Sequence, residues 1–137
     1  LKKSIIWMTK EEYWTDEVEE ALAKYVTCKD CDEKNLIFTK YLHVPLLKLI
    51  DAIVERYRPD AKDMHTDETR TDLLYSLILH VQKFNPNVIL PSGKKASGHS
   101  YCSIIIRSSI AEHTVRTYRE KKTIISFDDW YKEHPEI

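Results

Sequence analysis

The side chains able to do chemistry in this chain are mostly cations, and they are unevenly placed. From Arg70 to Lys122 there are nine Lys/Arg against three Asp/Glu, a balance of +6. Residues 1–69 hold eleven against fifteen, and residues 123–137 hold one against four, so the near-neutral total of −1 hides a basic half. Such asymmetry points to a polyanionic partner for one face of the molecule. The other reactive types form no recognisable machinery. Cys28-Lys29-Asp30-Cys31 is a single C-x-x-C, with only His43 following at a loosely suitable distance, whereas a structural zinc site takes four ligands. It reads as an interhelical turn that holds two thiols, and no metal is expected. The six histidines (His43, His65, His80, His99, His113, His134) make no HExxH and no i,i+4 pair, and no nucleophile elbow occurs. With no GxxxxGK[ST] or GxGxxG either, the residues argue against an enzyme, and no cofactor is expected.

The elements that must carry these groups are helices. With 137 residues and 42% apolar composition the chain is expected to form one domain, here bounded as an N-terminal extension 1–14, a helical domain 15–122 and a tail 123–137. The two glycines are too few for a turn-rich β-sandwich. No uncharged apolar run reaches the ~18 residues needed to span a bilayer, no secretory signal is visible, and three cysteines suit a reducing cytoplasm. Ile5, Ile6, Trp7, Tyr13 and Trp14 are apolar without clear period. A helix is predicted over Asp16–Thr27, capped by Asp16 with Glu19 as capping-box partner, and carrying Val18, Leu22, Tyr25 and Val26. Asp32 is expected to cap the next helix, which runs to Leu42. Pro45 is expected to kink or break it at Val44, with a new helix from Pro45 to about Arg58. A helix from Asp67 or Thr69 to Phe84 presents Leu73, Leu74, Leu77, Ile78 and Val81 to the core. After a loop over 87–97, a helix from His99 to Arg119 places Tyr101, Ile104, Ile105, Ile110 and Val115 on or near the core side. A short strand or turn follows at Thr123–Ser126, then the acidic aromatic residues Phe127, Asp128, Asp129, Trp130 and Tyr131.

The order of these features has a counterpart. A helix ends in Glu55-Arg56-Tyr57, a polar loop follows, and the next helix ends in Lys83-Phe84-Asn85-Pro86. A Lys/Gly-containing turn then leads to a helix that opens with Ser100-Tyr101 and carries Ile106-Arg107. This order, with the upstream phrase Asp32 to Leu42 and Pro45, resembles region 2 of the sigma-70 class of RNA polymerase initiation factors, and more specifically the short late-transcription sigma factors of tailed bacteriophages. The likeness covers roughly residues 16–128. It implies an all-α, compact helical bundle like sigma-70 regions 1.2–2.4 with no region 4, acting in the host bacterial cytoplasm.

The resemblance also implies partners and roles. The helix ending at the Phe84-Asn85-Pro86 corner would bind the clamp helices of the largest subunit of core RNA polymerase, through Glu68, Thr71, Asp72, Leu74 and Ile78. Acids on a helix face pair with Arg on a partner, while neighbouring apolar groups supply buried area. The following helix would melt the −10 element of promoter DNA, with Tyr101 at the family's base-stacking tyrosine. Stacking is worth about 1–3 kcal/mol per base, enough to tip an unpairing of similar cost. The family's Trp pair falls on Ile104 and Ile105, so aliphatic wedges replace two rings. His99 and Ser100 would hydrogen-bond a base or phosphate, and Lys83, Lys94, Lys95, Arg107, Arg116, Arg119, Lys121 and Lys122 would meet phosphates. Without region 4, the phage subgroup relies on a coactivator and on the DNA sliding clamp, the latter through an acidic-apolar tail for which Phe127–Tyr131 is the candidate. The competing expectation is a non-enzymatic polymerase-binding adaptor, or anti-sigma-like protein, without promoter recognition.

Overall fold

A computed structural model describes the backbone of residues 10–59 and 62–133, with side chains over 12–59, 64–120 and at 132. Ile5, Ile6 and Trp7 lie outside the described residues. The protein is all-α: α1 (Lys10–Tyr13), α2 (Asp16–Thr27), α3 (Cys31–Ile37), a π-helical segment (Phe38–Leu42), α4 (His43–Tyr57), a 3-10 turn (Lys62–His65), α5 (Asp67–Val81) and α6 (Gly98–Glu133). Among the described residues there is no strand, only an isolated antiparallel bridge between Ile89 and Lys95.

Local chemistry sets most boundaries, with two cap assignments moved. Thr15, not Asp16, caps α2 by accepting from the Val18 amide. Asp30, not Asp32, caps α3 by accepting from the Asp32 amide. In each case the residue outside the helix has the extended backbone an N-cap needs, while the expected acid lies inside the first turn and favours the helix dipole instead. Thr66 caps α5 in the same way through the Thr69 amide. Of the kink or break expected at Val44, no break occurs and the irregularity falls just upstream. The chain widens into a π turn over Phe38–Leu42, with the His43 amide bonded to the Phe38 carbonyl, and helix continues through Pro45 to Tyr57. The wider turn takes up the mismatch that a missing proline N–H creates in an i→i−4 ladder.

The core gathers one face from each long element. Val18, Ala21, Leu22 and Tyr25 of α2 meet Leu46, Leu49, Ile50, Ile53 and Val54 of α4 and Leu73, Leu77 and Val81 of α5. Cys102, Ile106 and Ile110 of α6 complete it, with Trp14, Leu42, Met64 and Phe84 closing the ends. Burying each such aliphatic side chain contributes about 1.5–3 kcal/mol. The phase of α6 differs from expectation: Ile104 and Val115 are exposed, and the buried stripe is 102–106–110, spaced by four. Beyond Ile110 no described side chain of α6 is buried, yet the helix runs on to Glu133. At 1.5 Å per residue its 36 residues span about 54 Å. The expected strand or turn at Thr123–Ser126 is therefore helix, because no Gly or Pro interrupts the sequence before Pro135. The boundary expected at 122 falls inside α6.

Two polar ties hold α4 against its neighbours. Arg70 of α5 makes a two-pronged ion pair with Asp51, at 2.9 Å from Nε and 2.7 Å from Nη2. Arg58, just past α4, donates through Nη1 to the Thr114 hydroxyl of α6.

Candidate nucleic-acid and polymerase interface

The geometry begins at a carboxylate whose expected partner was local and whose actual partners are distant. Glu19 of α2 accepts from the backbone amides of Gly98 at 3.0 Å and His99 at 3.1 Å, from the Ser97 hydroxyl at 3.4 Å, and from the Trp14 indole N–H at 3.0 Å. It thus caps α6, not α2, and satisfies two of the amides that a helix start leaves without partners. Gly98 is buried beneath it. A Cβ there would stand 2.4 Å from the Leu22 Cδ2 and 2.9 Å from a Glu19 carboxylate oxygen, so only glycine lets the two helices approach this closely. The opening of α6 is consequently fixed in position against α2.

That fixation distributes the expected DNA-facing residues. His99 is turned inward, its ring edge-on to Trp14 at 5.3 Å and tilted against Tyr13 at 6.3 Å. Its imidazole belongs to the packing between α1 and α6 and is not displayed beside Ser100, which is exposed. Tyr101 is half-buried, its ring 5.1 Å from that of Phe84, the aromatic residue of the corner that ends α5. Ile104 is 55% exposed, whereas Ile105 packs partly against the core. Lys83 is exposed one residue before Phe84, and Lys94 and Lys95 are exposed on the connector immediately before α6. These lysines and Tyr101 lie on the segments that flank the α5–α6 corner, with Lys95 bordering a groove lined by Asp16, Glu19 and Glu20 of α2.

The arginines do not form one face. Arg107 and Arg116 are nine residues apart, two and a half helical turns, which places them on opposite sides of α6. Arg107 is exposed and its Nε donates to the Ser103 carbonyl of its own helix at 3.4 Å. Arg116 instead borders a polar groove of about 290 Å³ between α5 and α6, together with Asp72, Ser76, Ser109, Glu112 and His113. There the Ser76 and Ser109 hydroxyls are 2.9 Å apart. Arg119 is exposed further along the helix. Lys121 and Lys122 fall on helical backbone, but their side chains lie outside the described residues, as do those of Phe127–Tyr131.

On α5 the expected polymerase-binding residues split by exposure. Glu68, Thr71 and Asp72 are exposed, Leu74 is half-buried against the core, and Ile78 is half-buried. Two residues absent from the expected set stand on the same outer face: Tyr75 and Leu79, each more than half exposed. With Glu68 and Asp72 they form a ridge spaced 4, 3 and 4 residues apart, a pattern legible in the sequence and suited to packing along another helix.

Cys102 is the one thiol enclosed by this framework. Burial, with the negative charge of Glu19 adding to it, pushes its pKa from the ordinary 9.0 up to about 12, so it is chemically inert. Cys28 is half-buried and Cys31 exposed, both as free thiols. Among the described residues no group of three or more His, Cys, Asp or Glu is arranged to hold a metal ion, and no helix is long and apolar enough to cross a membrane. No protein-family model, no curated protein and no solved structure matches the chain.

Proposed function

We propose that the chain is a transcription initiation factor of the sigma-70 region 2 type, of the phage late class, that binds core RNA polymerase and opens a −10-type promoter element. The observation that carries this reading is the division of charge and exposure between adjacent helices. The outer face of α5 offers Glu68 and Asp72 beside exposed Tyr75 and Leu79, a surface suited to a basic helical partner such as the polymerase clamp. From Leu73 to Ala111 no acid occurs at all, and Lys83, Lys94, Lys95 and Arg107 are all exposed, as suits a DNA strand. Each face thus has the sign its partner requires. In this reading a phage coactivator and the sliding clamp assist, the latter through the C-terminal tail, and the protein is not itself an enzyme.

A second reading, a polymerase-binding adaptor without promoter recognition, is favoured by one observation. The Tyr101 ring already has an aromatic partner in Phe84, which leaves only part of it for a base.

Core polymerase, the protein and a template with a TATA-like −10 element separate the two. The expected result is a promoter-specific transcript and permanganate-reactive thymines in the opened strand. Tyr101→Ala is expected to abolish opening while sparing polymerase binding, and Asp72→Arg to weaken polymerase binding. Polymerase binding with no promoter-specific product would establish the adaptor.

A further inference from the structure

The buried stripe of α6 ends at Ile110, and residues 111–133 follow as helix in which no described side chain is buried. A helix in water draws most of its stability from packing one face, so this length of rod calls for a partner. The outward side of α6 carries its apolar groups in a single row. Ile104, Ser108, Ala111, Val115 and Tyr118 are spaced 4, 3, 4 and 3 residues apart, and all are exposed, Val115 at 49% and Tyr118 at 67%. At 3.6 residues per turn these five positions fall within an arc of about 80°, on the side of the helix away from Cys102, Ile106 and Ile110. Alternation of 4 and 3 is the seam along which two helices supercoil. The same spacing continues on helical backbone to positions 122 and 125.

The charges along the rod say which helix fits that seam. Residues 111–122 hold four Lys/Arg against two acids, a balance of +2, and residues 123–133 hold one against three, a balance of −2. A second α6 laid antiparallel sets the basic stretch of each copy against the acidic stretch of the other, whereas a parallel copy sets like against like. Opposed helix dipoles favour the same orientation. The flanks agree in detail. Glu112 and Arg119 are both exposed and border the seam along one edge. With Val115 of one copy beside Tyr118 of the other, antiparallel pairing brings Glu112 of each copy beside Arg119 of the other, twice over by symmetry. A parallel pair sets Arg119 beside Thr114, which has no charge to meet it.

We propose that the outer seam of α6, residues 104–118, is a self-association surface that pairs antiparallel with the same seam of a second copy to form a two-fold symmetric dimer. Tyr118, the most exposed large apolar residue of the seam, is its main anchor, since a tyrosine buries a wide ring while leaving its hydroxyl at the wet edge. The core-facing stripe lies on the other side of the helix, so each bundle keeps its own packing in the dimer. The pairing does not depend on the function proposed above.

Sedimentation velocity of the full chain across the micromolar range tests the pairing. The mass is expected to rise with concentration from the monomer's 16.2 kDa toward that of two copies. Tyr118→Ser and Val115→Asp are each expected to raise the dimer dissociation constant about tenfold, each loss being counted twice by symmetry. Neither side chain is buried in the monomer, so at dilutions where the chain is monomeric both variants are expected to keep the wild-type circular dichroism. Glu112→Arg is expected to weaken the dimer about fivefold, and Arg119→Glu added to it to restore the wild-type constant. A wild type that stays monomeric at its highest soluble concentration overturns the proposal, as does a dimer that neither Tyr118→Ser nor Val115→Asp weakens. Failure of Arg119→Glu to rescue Glu112→Arg refutes the antiparallel register. A monomeric chain in which Tyr118→Ser instead lowers affinity for core polymerase or for promoter DNA gives the seam to that partner and also overturns the proposal. The dimer measurements involve no transcription, so pairing and initiation stand or fall separately.

Discussion

Replacing Glu19 with alanine tests the device that positions α6. The carboxylate accepts four hydrogen bonds, two of them from the first amides of α6 and one from the buried Trp14 indole. A hydrogen bond to a charged acceptor contributes about 1.5–3 kcal/mol net, but the donors of one cluster do not add. The Ser97 hydroxyl can turn to water, and Glu19 is only half-buried, so part of the loss is recovered by solvent. The loss of favourable charge at the helix start costs about 0.3–1 kcal/mol more. A total of about 3 kcal/mol follows, which lowers the melting temperature of a domain this size by roughly 10 °C. Glu19→Gln keeps the shape and one acceptor oxygen but turns an amide NH2 toward a backbone N–H, so an intermediate loss of about 1–2 kcal/mol is expected. The assay is thermal and urea unfolding followed by circular dichroism, with tryptophan fluorescence reporting the environment of Trp14. An alanine variant that melts within 1–2 °C of the wild type, with unaltered fluorescence, refutes the assignment of Glu19 as the tie between α2 and α6.

Four further outcomes follow from the same framework. Gly98→Ala forces a methyl toward the fully buried Leu22 and is expected to cost about 1–3 kcal/mol, measurable as a lowered urea midpoint with unchanged m-value. Cys102 is expected to resist a thiol reagent such as DTNB at pH 8 until the protein unfolds, while Cys28 and Cys31 react in the native state. The same thiol makes stability pH-dependent: below pH 9 its proton is held in both states, whereas between pH 9 and about 12 only the unfolded chain releases it. Stability should therefore fall there by up to about 1.4 kcal/mol per pH unit from this group, and Cys102→Ser should lack that component of the slope. Arg70→Lys loses the two-pronged geometry on Asp51 and is expected to destabilise by about 1 kcal/mol, with Asp51→Asn giving a similar, non-additive loss in a double-mutant cycle.

Much of the architecture was legible in local pattern. The helical class, the extents of α2 and α5, and the apolar stripes at Val18, Leu22 and Tyr25 and at Leu73, Leu77 and Val81 follow from 3.6-residue periodicity and from residues that stop helices. The split between an acidic α5 surface and an acid-free run from Leu73 to Ala111 needs only the order of charges. The sequence alone therefore determined which chemical types are available to a partner, and that acids give way to cations between Asp72 and Lys83.

Tertiary packing decided which of those groups stand together, because local windows do not contain the deciding partners. Three consecutive isoleucines, Ile104 to Ile106, leave the phase of α6 ambiguous. Contact with α2, α4 and α5 selects Ile106 for the core and turns Ile104 outward. Glu19 matches a capping box for its own helix, yet its carboxylate lies against amides 79 and 80 residues away, at the start of α6. Pro45 reads as a kink or break, but burial of Leu42, Leu46 and Leu49 against the core favours continuous helix with a π turn upstream of it. His99 reads as a hydrogen-bonding contact for a base or phosphate, and its ring packs against Trp14 and Tyr13. In each case a group satisfied within its own turn competes with a partner brought from elsewhere in the chain, and the fold takes the arrangement that buries more apolar surface while leaving fewer polar groups unpaired.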